Sequence, residues 1–183
     1  MNRILLLLII VSLCSCQNDE KDDGNLITAD KIGPLTKTAK VFQLDSIFSA
    51  DSVARKKTDY LYKQSSQIVV YNNNGNEKLI LNPHIEFDST SEIGNIQVKD
   101  SVYHTKKGLN INSTFKDITT NYKISRIENT LNAIVIFIDE INIYVTIDKA
   151  FIDGEAKYNT DIAIEPTQIP DNAKIKHFWI GWK

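Results

Sequence analysis

Two short β-prone runs at residues 67–71 and 77–81 flank the segment Asn72-Asn73-Asn74-Gly75-Asn76. An Asn-Gly step supplies the positive φ angles of a hairpin turn, so the chain must reverse here and pair with itself antiparallel. The pattern returns at 133–138, where Ala-Ile-Val-Ile-Phe-Ile is followed by a tight Asp139-Glu140 turn and a strand over 141–148. In that returning strand Ile141, Ile143, Val145 and Ile147 alternate with Asn142, Tyr144 and Thr146, which puts one face in a core. The outgoing strand is apolar throughout and is expected to lie centrally, covered on both faces. From Ile27 onward such segments are separated by Gly, Asn and Asp, and few are long enough for a helix. The expected class is α+β, a mainly antiparallel sheet with short helices.

Each hairpin is preceded by a similar unit. Val41, Leu44 and Phe48 stand at i, i+3 and i+7, as do Phe115, Ile118 and Tyr122, and a Gly (Gly33, Gly108) followed by a Ser or Thr able to cap a helix precedes each set. This spacing predicts two similar helix-plus-β-meander halves, about 31–95 and 96–183. The unit resembles the repeats of β-lactamase inhibitor proteins and of the small outer-membrane assembly lipoproteins related to them, over residues 31 to about 81 and 106–148. Lys37-Thr38 and Asn112-Ser113-Thr114 stand where those repeats carry Gly-Met-(Ser/Thr). The resemblance implies a fold and a habit of binding proteins, not a reaction.

At the N-terminus, Arg3 precedes an apolar run at 4–11 and the step Leu13-Cys14-Ser15-Cys16. Crossing a bilayer takes roughly 20 apolar residues, and this run ends after eight. The segment resembles a bacterial lipoprotein signal peptide with its lipobox, with Leu13 at −3, Ser15 at −1 and Cys16 at +1. That resemblance implies cleavage after Ser15 and palmitate-type acyl chains on Cys16, each buried methylene contributing about 0.8 kcal/mol of membrane affinity. The expected organisation is a signal peptide (1–15), an acylated Cys with an acidic flexible tether (16–30) and a globular body (31–183). The tether's acidic cluster resembles the export signal of surface lipoproteins in the Bacteroidetes. It implies the outer membrane, surface-facing, with a periplasm-facing anchor as the alternative.

The chain carries 21 basic and 23 acidic side chains. The first fifteen residues hold only Arg3, so the remainder has 20 against 23, a net of −3. No field of one sign is available to collect phosphates, which argues against nucleic acid as a partner. Both cysteines belong to the leader and anchor, leaving no disulfide, thiolate nucleophile or Cys metal site in the body. His84, His104 and His177 lack metal-ligand spacing, and the 72–77 loop lacks the carboxylates a calcium site needs. Asp139-Glu140, Asp148 and Asp153-Gly154-Glu155 read as solvated turn acids, and Arg55-Lys56-Lys57 and Lys106-Lys107 as solvated ends of elements. No nucleophile elbow, phosphate loop or dinucleotide fingerprint occurs.

No catalytic residue, metal or cofactor is therefore expected. The expected role is a non-catalytic protein-interaction module, held to the membrane through lipid at Cys16 and meeting an envelope protein partner. The alternative is a surface carbohydrate- or ligand-binding lipoprotein using Trp179 and Trp182, both on a C-terminal strand over 174–182. The rings of that strand are expected to close the core, Ile175 with His177 and Phe178 with Ile180 and Trp182 placing the aromatics on one face, with a bulge where the phase shifts. As an exposed pair, the two indoles would instead stack on sugars or lipid headgroups.

Overall fold

The computed structural model describes residues 24–60 and 63–183, so the leader and Cys16 lie outside it. Three two-residue strands, β1 (Leu26–Ile27), β2 (Lys31–Ile32) and β3 (Leu35–Thr36), precede a 3-10 turn (Val41–Gln43) and helix α1 (Leu44–Ile47). A four-strand meander follows: β4 (Ser52–Tyr60), β5 (Lys63–Tyr71), β6 (Glu77–Pro83) and β7 (Ile93–Val98). After β8 (His104–Thr105), helix α2 (Phe115–Asn121) leads into β9 (Arg126–Asn129), β10 (Ala133–Ile138), β11 (Ile143–Asp148) and β12 (Ile175–Gly181). These eight longer strands form one antiparallel sheet in the order β4-β5-β6-β7-β12-β11-β10-β9. The four short strands form a second sheet, β3-β2-β1-β8, in which only β1 and β8 run parallel. The fold is thus mostly antiparallel sheet with few short helices, as expected.

Side chains alternate along each strand, so the large sheet has a core face and an outer face. Ile68, Val70, Leu79, Leu81, Ile96, Val98, Val145, Phe178 and Ile180 are buried on the first, under Leu44 and Phe48 from the α1 side and Phe115, Ile118 and Tyr122 from the α2 side. Both i, i+3, i+7 sets are buried, as the spacing predicts. The helices are too short to stand alone and owe their stability to this packing. In α2 the Asp117 carboxylate accepts from the Thr114 N–H (2.7 Å) and hydroxyl (2.9 Å), an N-terminal clasp. No Ser or Thr caps the first unit: the Lys40 N–H donates to Gln43 Oε1 instead (2.8 Å).

The first hairpin forms where the Asn-Gly step places it. Asn72 Oδ1 accepts from the N–H groups of Asn74 and Asn76, and Gly75 has φ 78°. The second turn is wider than Asp139-Glu140, because a 3-10 turn (Asp139–Ile141) and Asn142 at φ 55° delay the return to Ile143. β10 is not central. The unforeseen β9 makes it the penultimate strand, and Ala133, Val135 and Phe137 are only half-buried on the outer face. In β12, Thr146 pairs with His177 but Ile147 with Ile175, so Lys176 is the bulged residue. The bulge sends Ile175 to the core and leaves His177 outside, separating two residues expected on one face. Residues 26–30, expected in the tether, belong to the fold, since β1 already pairs at Leu26 and Ile27 is buried. The expected boundary between halves at 95/96 falls inside β7.

β9 is an edge strand, and edge strands need protection from foreign pairing. Asn129 on β9 supplies it by holding the 149–168 connection against this side of the sheet. Its Nδ2 lies 2.9 Å from the Ala156 carbonyl, 2.9 Å from that of Asn159 and 2.8 Å from that of Ile162. In an Asn129→Asp variant a carboxylate oxygen would face three carbonyl oxygens in place of a donor. We expect this nearly isosteric change to cost about 1–3 kcal/mol at neutral pH. The introduced carboxyl would titrate at a raised pKa, so its cost should be largest above that pKa and shrink as falling pH protonates it. Denaturant unfolding at two pH values checks this, and equal stability of the parent and the variant at neutral pH would contradict it.

Candidate functional site

The strand register places one continuous row of side chains across the outer face. Arg126 on β9 pairs with Phe137 on β10, Phe137 with Tyr144 on β11, Tyr144 with Trp179 on β12, and Trp179 with Gln97 on β7. Ile80 and Val69 continue it across β6 and β5. The Arg126 guanidinium sits 3.9 Å from the Phe137 ring centroid, within cation–π range. Phe137 and Tyr144 stack at 5.6 Å with planes 24° apart, and Tyr144 and Trp179 at 5.9 Å with planes 1° apart. The three rings are half-buried, which leaves their outward surfaces in solvent. Cross-strand aromatic neighbours of this kind hold one another flat, each pair contributing about 0.5–1.5 kcal/mol beyond its buried area.

Amides and an imidazole flank the rings. Asn95 Nδ2 donates to the Tyr144 hydroxyl (2.6 Å), and burial pushes the Tyr144 phenol above its ordinary pKa, so it stays protonated. Gln97 Nε2 lies 3.3 Å from His177 Nδ1. An amide nitrogen can only donate, so that contact needs a neutral imidazole accepting at Nδ1. Burial lowers the His177 pKa, and the nearby Lys99 and Lys176 ammonium groups lower it further. Asn95 Oδ1 and Thr146 Oγ1, both on this face, are buried without a hydrogen-bond partner within the protein. The row offers stacking surface and fixed polar groups. It contains no nucleophile paired with a base.

The sequence-derived candidates scatter. Trp179 is in the row, but Trp182 lies on the opposite side of β12, 2% exposed, with Nε1–H donating to the Ala29 carbonyl (3.0 Å). The two indoles do not form an exposed pair. Cys16 lies outside the described residues. Asp139 and Asp148 sit at opposite ends of β11, about 17 Å apart at the usual strand rise, and Asp148 is bound to Lys176 (2.8 Å). His84 packs over Gly94, His104 contacts the Val102 carbonyl and His177 contacts Gln97, so the three do not converge. Among the described residues no group of three or more His, Cys, Asp or Glu could hold a metal ion. Arg55 pairs with Asp45, Lys56 with Glu77, and Lys107 covers the Tyr122 ring. Sequence reasoning missed Arg126, Phe137 and Tyr144 as partners of Trp179. The out-facing parity of Tyr144 in its alternating strand was the available signal.

Because the unfolded chain takes up a proton at His177 before the folded one does, stability present above the ordinary value of 6.5 is lost as pH falls toward the lower folded midpoint. We expect the His177 ring resonance to titrate below 6.5 and a His177→Gln variant to lose less stability than the parent between about pH 7 and pH 5. A midpoint at or above 6.5 in the folded protein would show that the ring is not desolvated.

Comparison with protein families finds no match, and neither does comparison with curated proteins. In three dimensions the chain is similar to the crystal structure of the uncharacterized protein yfeY from Escherichia coli, with a TM-score of 0.57 and 14% sequence identity over 85% of this chain and 99% of that one. At that identity the likeness establishes the fold alone.

Proposed function

We propose that this protein is a lipid-anchored envelope protein that binds another protein through the outer face of its large sheet. The observation that carries this reading is the row Arg126–Phe137–Tyr144–Trp179. Arg, Phe, Tyr and Trp are the side chains enriched at protein interfaces, and hot spots cluster in such contiguous, well-packed patches. A face built this way is pre-organised, since stacking has already fixed the ring rotamers. The lipobox-like Leu13-Cys14-Ser15-Cys16 supports attachment at Cys16, and the acidic stretch after it supports a tether to the outer membrane, surface-facing.

The two halves are proposed to be repeats. In each, a glycine at positive φ (Gly33, 53°; Gly108, 81°) precedes a short helix with three buried residues in or beside it (Val41, Leu44, Phe48; Phe115, Ile118, Tyr122) and then four antiparallel strands. Their last strands, β7 and β12, pair at the middle of the sheet. This arrangement supports the resemblance to the β-lactamase inhibitor repeats and their habit of binding proteins.

A second reading, carbohydrate binding, is favoured by one feature: the Tyr144 and Trp179 rings are parallel to within 1° and flanked by the amides of Asn95 and Gln97, the two kinds of group that a sugar site combines. A photo-crosslinker at position 144 in intact cells is expected to capture a specific envelope protein. Trp179→Ala, at a half-buried position on the outer face, should weaken that complex by about 2 kcal/mol, roughly thirtyfold, without unfolding the chain. Capture of no protein together with a Trp179 fluorescence change on a glycan panel would replace the first reading by the second. Palmitate labelling tests the anchor separately: Cys16→Ser should take up no label, and retained label would overturn the lipidation site.

A further inference from the structure

A half-open pocket of about 370 Å³ lies on the core side of the large sheet, away from the aromatic row, between the 3-10 turn before α1, strands β4 to β6 and the loop after β6. Val41, Ile68, Pro83 and Phe87 form its apolar lining. Its size falls in the range of about 300–1,000 Å³ typical of small-molecule sites, with room for on the order of ten water-sized groups.

The charged groups of its lining are already satisfied. Arg55 grips the Asp45 carboxylate through both Nη1 (3.3 Å) and Nη2 (2.5 Å). Lys56 reaches Glu77 (3.6 Å), and the Asp88 carboxylate accepts from the Thr90 N–H and hydroxyl, both at 2.7 Å. An apolar hollow whose two rim cations are each paired with a carboxylate, and whose one rim carboxylate is occupied by Thr90, is complementary to an uncharged chain of carbon atoms, not to an anion or a cation.

The mouth is held open at a cost. Phe87 has φ 64°, a left-handed conformation rarely adopted by a bulky residue, yet the residue is 53% exposed. The loop around it is fixed by Ser91, whose Oγ accepts from the Ile85 N–H (3.0 Å) and donates to the Glu92 carbonyl (3.0 Å). The Phe42 N–H donates to the Ser89 carbonyl (2.9 Å), tying the turn before α1 to the same loop. Phe42 and Ile85 are each 61% exposed. Strain persists where the surroundings over-determine it, and such positions cluster at ligand clamps.

We propose that this pocket binds a single alkyl chain, recognised by its apolar carbon and not by its head group. The chain could be delivered by a free amphiphile or by a bilayer lipid, and the experiment separates the two. Full-length protein labelled at its Val and Ile methyl groups is titrated with monomeric 1-decanol, decanoate and decyltrimethylammonium, and separately with phosphatidylcholine vesicles. The expected result is saturable shifts of the Val41 and Ile68 methyls with all three amphiphiles, at affinities within about threefold of one another. Phe87→Gly should weaken binding by at least about fivefold without lowering the thermal midpoint, because glycine adopts positive φ freely. Trp179→Ala should leave it unchanged, which keeps this site distinct from the outer face. A response to vesicles as well identifies a membrane lipid as the source, and a response to the monomers alone identifies a free amphiphile. Absence of saturable shifts at Val41 and Ile68, or a preference of about tenfold or more for either charged head group, would overturn the proposal.

Discussion

β7 and β12 are far apart in the chain, and their antiparallel pairing welds two four-strand meanders into one sheet. Phe178 meets Val98 and Ile180 meets Ile96 across this seam, and all four are buried. The Trp182 N–H extends the seam by donating to the Gly94 carbonyl (2.8 Å), while on the β11 side the Gly181 N–H donates to that of Asn142 (2.8 Å). Because a strand's side chains alternate with a period of two, the register that buries Phe178 and Ile180 also sets Trp179 on the outer face, opposite Gln97. A slip of one residue would exchange the faces. The core and the aromatic row are therefore two consequences of one register, and neither can be moved without the other.

The bulge at Lys176 leaves the row in place and decides what lies beside it at the start of β12. Without the extra residue, Ile175 and His177 would share a face, and the indole of Trp179 would still alternate with Phe178, but the start of β12 could not bury Ile175 against the core side of β11. The bulge reconciles a core-filling Ile175 with an outward His177, next to the imidazole's contact with Gln97. Stacking then does what a flat sheet surface cannot do by backbone bonds alone. It fixes the χ angles of Phe137, Tyr144 and Trp179 in one arrangement, so that a partner meeting this surface would not have to order it.

What is legible in the sequence is local. The Asn-Gly turn, the alternation in 143–147 and the helical spacing of Val41, Leu44 and Phe48 each announce themselves within a few residues, and each forms as expected. β4 is not legible because Ser-Val-Ala-Arg-Lys-Lys-Thr-Asp-Tyr has charges where an edge strand wards off pairing, and so lacks the period-two pattern. β7 hides behind Gly94 and Asn95, and β1, β2, β3 and β8 are two residues each, below any periodic signal. The apolar run of β10 reads as doubly covered because hydrophobicity alone does not separate a buried face from one that presents Val135 and Phe137 to solvent. Of the site, Trp179 is legible as a residue type. Its partners are not, since Arg126, Phe137 and Tyr144 become neighbours only through the pairing of four strands, and the odd spacing of Trp179 and Trp182 in a strand puts them on opposite faces.

The places where this chain departs from the rules of a quiet globular surface are not spread evenly. Asn95 Oδ1 and Thr146 Oγ1, buried without a protein partner, both lie on the outer face that carries the aromatic row. Phe87 with its positive φ lines the pocket, and the exposed Phe42 and Ile85 stand within two residues of its lining in the chain. Asn129 Oδ1 is a further unpartnered atom among the described residues, and its cause is visible: the other end of the amide is spent on three carbonyls that fix the 149–168 connection. Sequences tend to break local rules at functional sites and to compensate for the cost elsewhere. Here the compensation is the seam and the continuous core beneath it, which hold the outer face and the pocket mouth in conformations that neither would adopt alone.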